Sequence, residues 1–180
     1  MPLDDVTGAP IVVNNLTATA VNTNFQPQKK FLCSECEQRF SKNGEHHVIR
    51  NCYRGSEGFP LRDVLRKLTP AKISNDQSAF LTDQLPAEIL TEAYRYFALS
   101  ILWRASATDW PGGYGSNYRG RLGTKYQEVF RQYLLGNAAL PKNISVNVLV
   151  DFESELEALA YPPSYSRVKD KKNALESFRL

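Results

Sequence analysis

Apolar positions are densest in the middle of the chain, and their spacing predicts helices more than strands. Over 86–107, Ile89, Leu90, Ala93, Phe97, Ile101, Leu102 and Ala105 form a broad stripe, with Pro86 suited to a first helical position. Around Phe97-Ala98-Leu99-Ser100-Ile101-Leu102-Trp103 the segment is apolar nearly all round, which marks a central core helix. Leu61, Val64, Leu65 and Leu68 recur at i, i+3, i+4 and i+7, predicting a short helix that Thr69-Pro70 stops. Tyr126, Val129, Phe130, Tyr133 and Leu134 predict another, opened by a Thr124-Lys125-Tyr126-Gln127 capping box and closed by Gly136. A further helix is expected over 44–54, with Ser41 or Asn43 able to cap it.

Strand patterns are fewer. Residues 10–13 and 16–21 are β-prone and separated by Asn14-Asn15, which predicts a loose hairpin. Lys29-Lys30-Phe31-Leu32 reads as a short strand, and 144–150 alternates and then runs apolar, predicting another. Half of the ten glycines fall between Gly112 and Gly123, so that stretch is a loop. Asp151, Glu153, Glu155 and Glu157 read as a solvated acidic face, and Tyr161-Pro162-Pro163 ends it. The mildly basic tail, with Arg167, Lys169, Lys171, Lys172 and Arg179, is expected to fray. The sum is an α+β fold, an α-dominated helical body with a small N-terminal β/zinc-knuckle-like module. Residues 1–58 hold the hairpin and the knuckle; residues 59–180 hold the helical body, one strand and the tail.

Size and charge narrow the function classes only slightly. A chain of 180 residues with 42% hydrophobic content can bury one sizeable core. Its net charge of +3 neither demands nor forbids nucleic acid. No run approaches the ~18 apolar residues of a membrane span, so no membrane partner is expected. Met1-Pro2-Leu3-Asp4-Asp5 has neither the cationic nor the apolar part of a secretory signal. Three cysteines, two of them in a C-x-x-C, suit a reducing compartment better than a disulfide framework, and the expectation is cytoplasmic.

The chemistry is concentrated. Cys33, Cys36, His46, His47 and Cys52 are all the cysteines and histidines the chain has. Cys33-x-x-Cys36 has zinc-knuckle spacing, so zinc is the cofactor this cluster suggests, with Cys52 as the third ligand. A regular helix over 44–54 would put Cys52 on the face of Val48 and Ile49. At 100° per residue it would turn His46 and His47 away by about 120° to 140°. The histidines are therefore expected on a solvated face. Glu45-His46-His47 also has the acid-then-histidine order of half an HNH nuclease centre, where a histidine acts as general base beside a metal. No histidine follows His47, so this chain alone does not complete such a centre.

In the glycine-rich loop, Arg119 and Arg121 could meet phosphates while Tyr114 and Tyr118 offer stacking faces. The spacing is not that of a P-loop. Two arginines in a loop fit an exposed helix connection with solubilising charges better than nucleic-acid contact. Arg104 is expected to meet last-turn carbonyls of the central helix.

The segment Phe31-Leu32-Cys33-Ser34-Glu35-Cys36-Glu37-Gln38-Arg39-Phe40-Ser41-Lys42-Asn43-Gly44-Glu45 resembles a family of uncharacterised bacterial proteins. They share a CxxCE-x-RF-S/N-x-x-GE signature, a cysteine near position 52, and an apolar helix like 97–106. The Tyr133-Leu134-Leu135-Gly136 helix end fits as well, and the similarity spans about 10–150. Family members often carry an upstream Ser-His-Ile-Ile-Pro-like segment and an HNH-like label, and this sequence starts after it. The resemblance implies a zinc-type fold and no settled activity. The leading expectation is a non-catalytic, zinc-stabilised accessory protein of a bacterium or mobile element, associated with nucleic acid. One alternative is an HNH-like nuclease remnant or subunit completed by a partner. Another is a protein–protein adaptor using Trp110, Tyr161 and Tyr165. Oligomeric state is open.

Overall fold

The computed structural model describes residues 11–14, 19–22, 29–52, 58–74, 77–110, 118–148, 150, 152, 164–169 and 174–179. Among them the protein is helix-rich, and its strands form only two-stranded antiparallel sheets.

Helix α1 (Ser34–Phe40) runs into a π-helical segment (Ser41–Glu45) and then into α2 (His46–Cys52). Backbone angles at Ser41 and His46 stay right-handed helical, so the three pieces form one rod. Helix α3 (Pro60–Leu65) follows. The core helix α4 spans Thr91–Ala107, and α5 spans Gly123–Leu135. Strand β1 (Ile11–Asn14) pairs with β2 (Thr19–Asn22), β3 (Lys72–Ser74) with β4 (Gln77–Ala79), and β5 (Ser164–Lys169) with β6 (Ala174–Arg179).

The all-round apolar character of 97–103 has its reason in two apolar clusters on different sides of α4. One joins Phe40, Tyr96, Leu99, Leu122, Phe130 and Leu134. The other joins Val48, Leu61, Leu65, Ile89 and Tyr94. Tyr94 and Tyr96, about 200° apart on a helix, serve opposite clusters. The rod contributes Phe40 to one and Val48 to the other, so packing is shared across residue 58.

The rod lies close against α4 because Gly44 has no side chain. A Cβ there would stand 2.9 Å from the Phe97 backbone nitrogen and 3.1 Å from its Cα. Phe40 meets Tyr96 and Trp103 edge-on at 6.0 and 6.2 Å. Arg39 reaches across to donate to the Leu135 carbonyl at 2.8 Å, and Tyr96 donates to the Leu134 carbonyl at 2.8 Å. Both bonds satisfy carbonyls that the last turn of α5 cannot.

Several expectations change, each for a tertiary reason. The core helix begins at Thr91 instead of Pro86, because the Leu90 N–H is bonded to His47 Nε2 at 3.1 Å and Leu90 is extended. The helix expected over 44–54 is instead the end of a rod that begins at Ser34. The short helix expected over 61–68 ends at Leu65 and continues as turns, with Leu68 N–H bonded to the Leu65 carbonyl. No Thr124 side-chain cap forms; the loop before α5 is held by Ser106, whose Oγ accepts the N–H of buried Leu122 at 3.2 Å. The expected closure at Gly136 is present, with φ 78°.

Residues 29–32 form no strand: Phe31 packs on Trp103 and Trp110 at 6.3 and 5.8 Å, and Lys29 Nζ bonds to Thr108 Oγ1 at 2.6 Å. The described residues of 144–150 form none either. Ile144 and Val146 lean on the first cluster and Val150 on the second, so the alternation buries one face without a partner ladder. The hairpin of 11–22 is present, and part of the tail expected to fray is the β5–β6 hairpin. Asp151, Glu153, Glu155, Glu157, Tyr161 and Tyr114 lie outside the described residues. Among the described residues, no helix is long and apolar enough to cross a membrane.

Candidate metal centre

Cys33 is the extended residue before α1, with φ −78° and ψ 162°, and its carbonyl accepts the Glu37 N–H at 3.1 Å. Cys36 sits in the first helical turn, where a spacing of three brings side chains to the same face. The C-x-x-C therefore opens a helix, whereas a knuckle would hold it in a turn between strands. The Cys36 thiol hydrogen-bonds to the Cys33 sulfur, with no disulfide between them. The Cys36 backbone N–H, followed by that thiol, lowers the Cys33 pKa; donating the bond raises that of Cys36. Cys33 is exposed and Cys36 half-buried. Two cysteines one helical turn apart could supply two of the four ligands that a tetrahedral zinc takes.

Cys52 is not brought to them. It ends the same rod, and at about 1.5 Å per residue it lies more than ~20 Å from Cys36. It is exposed there, and partial loss of solvation raises its thiol pKa. The expected third-ligand position is not reached because the helical segments run on from Ser34 to Cys52. Among the described residues, no group of three or more Cys, His, Asp or Glu is gathered to hold a metal ion.

The Glu45-His46-His47 run is built into the architecture. Glu45 Oε1 accepts from Arg104 Nη2 at 2.5 Å, with both side chains mostly buried. Arg104 Nε also donates to the Ser100 carbonyl at 3.3 Å, and the guanidinium lies 5.5 Å from the Phe40 ring centre. The contact expected with last-turn carbonyls is thus not the one formed: Arg104 meets a carbonyl one turn earlier and the Glu45 carboxylate. Arg104 is the single charge in the apolar stretch 97–107, and a charge carried into a core needs a partner. His46 Nε2 accepts from Arg50 at 3.4 Å, which fixes its proton on Nδ1. His47 Nε2 accepts the Leu90 N–H, with Asn51 Nδ2 at 3.2 Å and the Tyr94 ring edge-on at 5.8 Å. Burial first, and then His46, lowers the His47 pKa. His47 is thus a half-buried strut and not the solvated residue expected.

Arg119 pairs with Asp109, which offsets its charge, while Tyr118 is half-buried and Arg121 exposed. Half-buried Trp110 donates to the Arg104 carbonyl at 3.3 Å and packs on Phe31 at 5.8 Å. Compared with known proteins, the chain matches no family model, no curated protein and no solved structure.

Proposed function

We propose that this is a non-catalytic accessory protein stabilised by zinc, to which Cys33 and Cys36 contribute two thiolates. The observation that carries the reading is the pair of cysteines at the start of the rod, Cys33 extended and exposed just before α1 and Cys36 in its first turn. A metal there would tie the residues before α1 to a rod already locked against α4 through Gly44 and Glu45. The non-catalytic part rests on how the acid and histidines are engaged. The Glu45 carboxylate is paired with Arg104, and the His47 Nε2 lone pair is taken by a backbone N–H. A general base needs such a lone pair turned toward a substrate proton.

The test is metal analysis and thermal unfolding of the wild type beside a Cys33→Ser, Cys36→Ser double variant. Zinc retained by the wild type and lost by the variant is expected, with a melting point several degrees lower, because a ligand bound only by the folded state stabilises it. A wild type without zinc, melting with the variant, removes the reading. Incubation with supercoiled DNA and magnesium or manganese is expected to leave the DNA intact; cleavage by the isolated chain overturns the non-catalytic assignment.

A further inference from the structure

We propose that two copies of this chain share one zinc ion, each contributing Cys33 and Cys36 to a four-sulfur centre at a two-fold interface. The inference rests on the zinc reading above and goes further by naming what completes the site.

The argument is one of donor inventory. A structural zinc takes four ligands, nearly always sulfur and nitrogen. All three cysteines and both histidines are among the described residues, so no nitrogen or sulfur side-chain ligand of these kinds lies elsewhere in the chain. Cys52 is held at the far end of the rod, and His46 and His47 are close to that end, on α2. The ring nitrogen of His47 is also committed to Leu90. Of the two carboxylates next to Cys36, Glu35 is bonded to Arg39 at 3.2 Å and Glu37 is exposed. Among the described residues one chain therefore brings two sulfurs together, and the rod keeps Cys52 from joining them.

Access favours a second copy. Cys33, Ser34, Glu35, Glu37 and Gln38 are all exposed, so the pair stands at a surface with no described element over it. A two-fold contact places the same patch on both partners, and two identical C-x-x-C pairs then meet as a tetrahedron. Zinc with four thiolates carries a net charge of about −2. Half-buried Arg39 acts on Cys36 against that charge, while Glu35 beside both sulfurs adds to it.

The experiment titrates zinc chloride into reduced, chelator-stripped full-length chain, reading mass by light scattering and ligand type by cobalt(II) substitution. Uptake is expected to saturate at one metal per two chains while the mass doubles from 20.3 kDa. Cobalt should give the absorption of a tetrahedral four-thiolate site, and EDTA should reverse the doubling. Cys52→Ser should match the wild type, whereas Cys33→Ser and Cys36→Ser should each lose the doubling. One metal per chain at unchanged mass overturns the shared site but leaves the zinc reading standing. No metal uptake overturns both. A dimer that persists in EDTA, or metal lost in Cys52→Ser, overturns the shared site as well.

Discussion

His47 shows how one side chain can be structural and titratable at once. Its Nε2 accepts the Leu90 N–H just ahead of α4, a bond that exists only while that nitrogen is unprotonated. Burial lowers its pKa from the ordinary 6.5, so below that pH the unfolded chain binds more protons at this ring than the folded one. Its contribution to stability is intact above pH 6.5 and is lost as pH falls through the lowered folded value. Urea midpoints measured from pH 7.5 to 5 should decline in the wild type. They should decline less in His47→Gln, whose amide oxygen can accept the same N–H at every pH. Equal slopes in the two proteins would remove His47 from this role.

Among the elements, the contact between the rod and α4 organises the protein. Gly44 sets the distance and the Glu45–Arg104 pair sets the register. The π-helical turn lies at that contact, so both residues fall where the two helices are closest. With side chains 19% and 25% exposed, the pair sits between a surface bridge and a buried one. Removing one partner should cost about 1–3 kcal/mol, between the ranges of those two cases. A double-mutant cycle with Glu45→Ala and Arg104→Ala, read by chemical denaturation, should give a coupling of about 1 kcal/mol. Additive single effects would mean that the pair does not hold the helices together. This contact was only partly legible: Gly44-Glu45 and Arg104 were visible, but 59 positions separate the two charges and nothing local pairs them.

For the molecule as a whole, α4 is the axis that both apolar clusters use, and Leu99 is 1% exposed at its centre. Leu99→Ala should therefore destabilise by about 2–5 kcal/mol through lost transfer energy and a residual cavity. The drop should appear in one cooperative transition, because rod, α3 and α5 all depend on the same helix. Separate melting of residues on either side of position 58 would instead indicate two independent units. The Cys33–Cys36 pair stands outside this core, which is why its replacement is expected to shift stability by degrees while Leu99 decides whether the body folds.

By itself the sequence determined the helices of the core, the stop at Gly136 and the two-thiol character of Cys33 and Cys36. Those features depend on neighbours three or four positions away, or on residue type alone. Only the tertiary structure decided that α1 and α2 are one rod, that Cys52 lies far from the other cysteines, and that Ile144 and Val146 pack without a ladder. It also gave Glu45 and His47 their partners in and beside α4. The reason is physical: apolar periodicity says which face is buried, while the partner of a polar group is whatever face arrives opposite it.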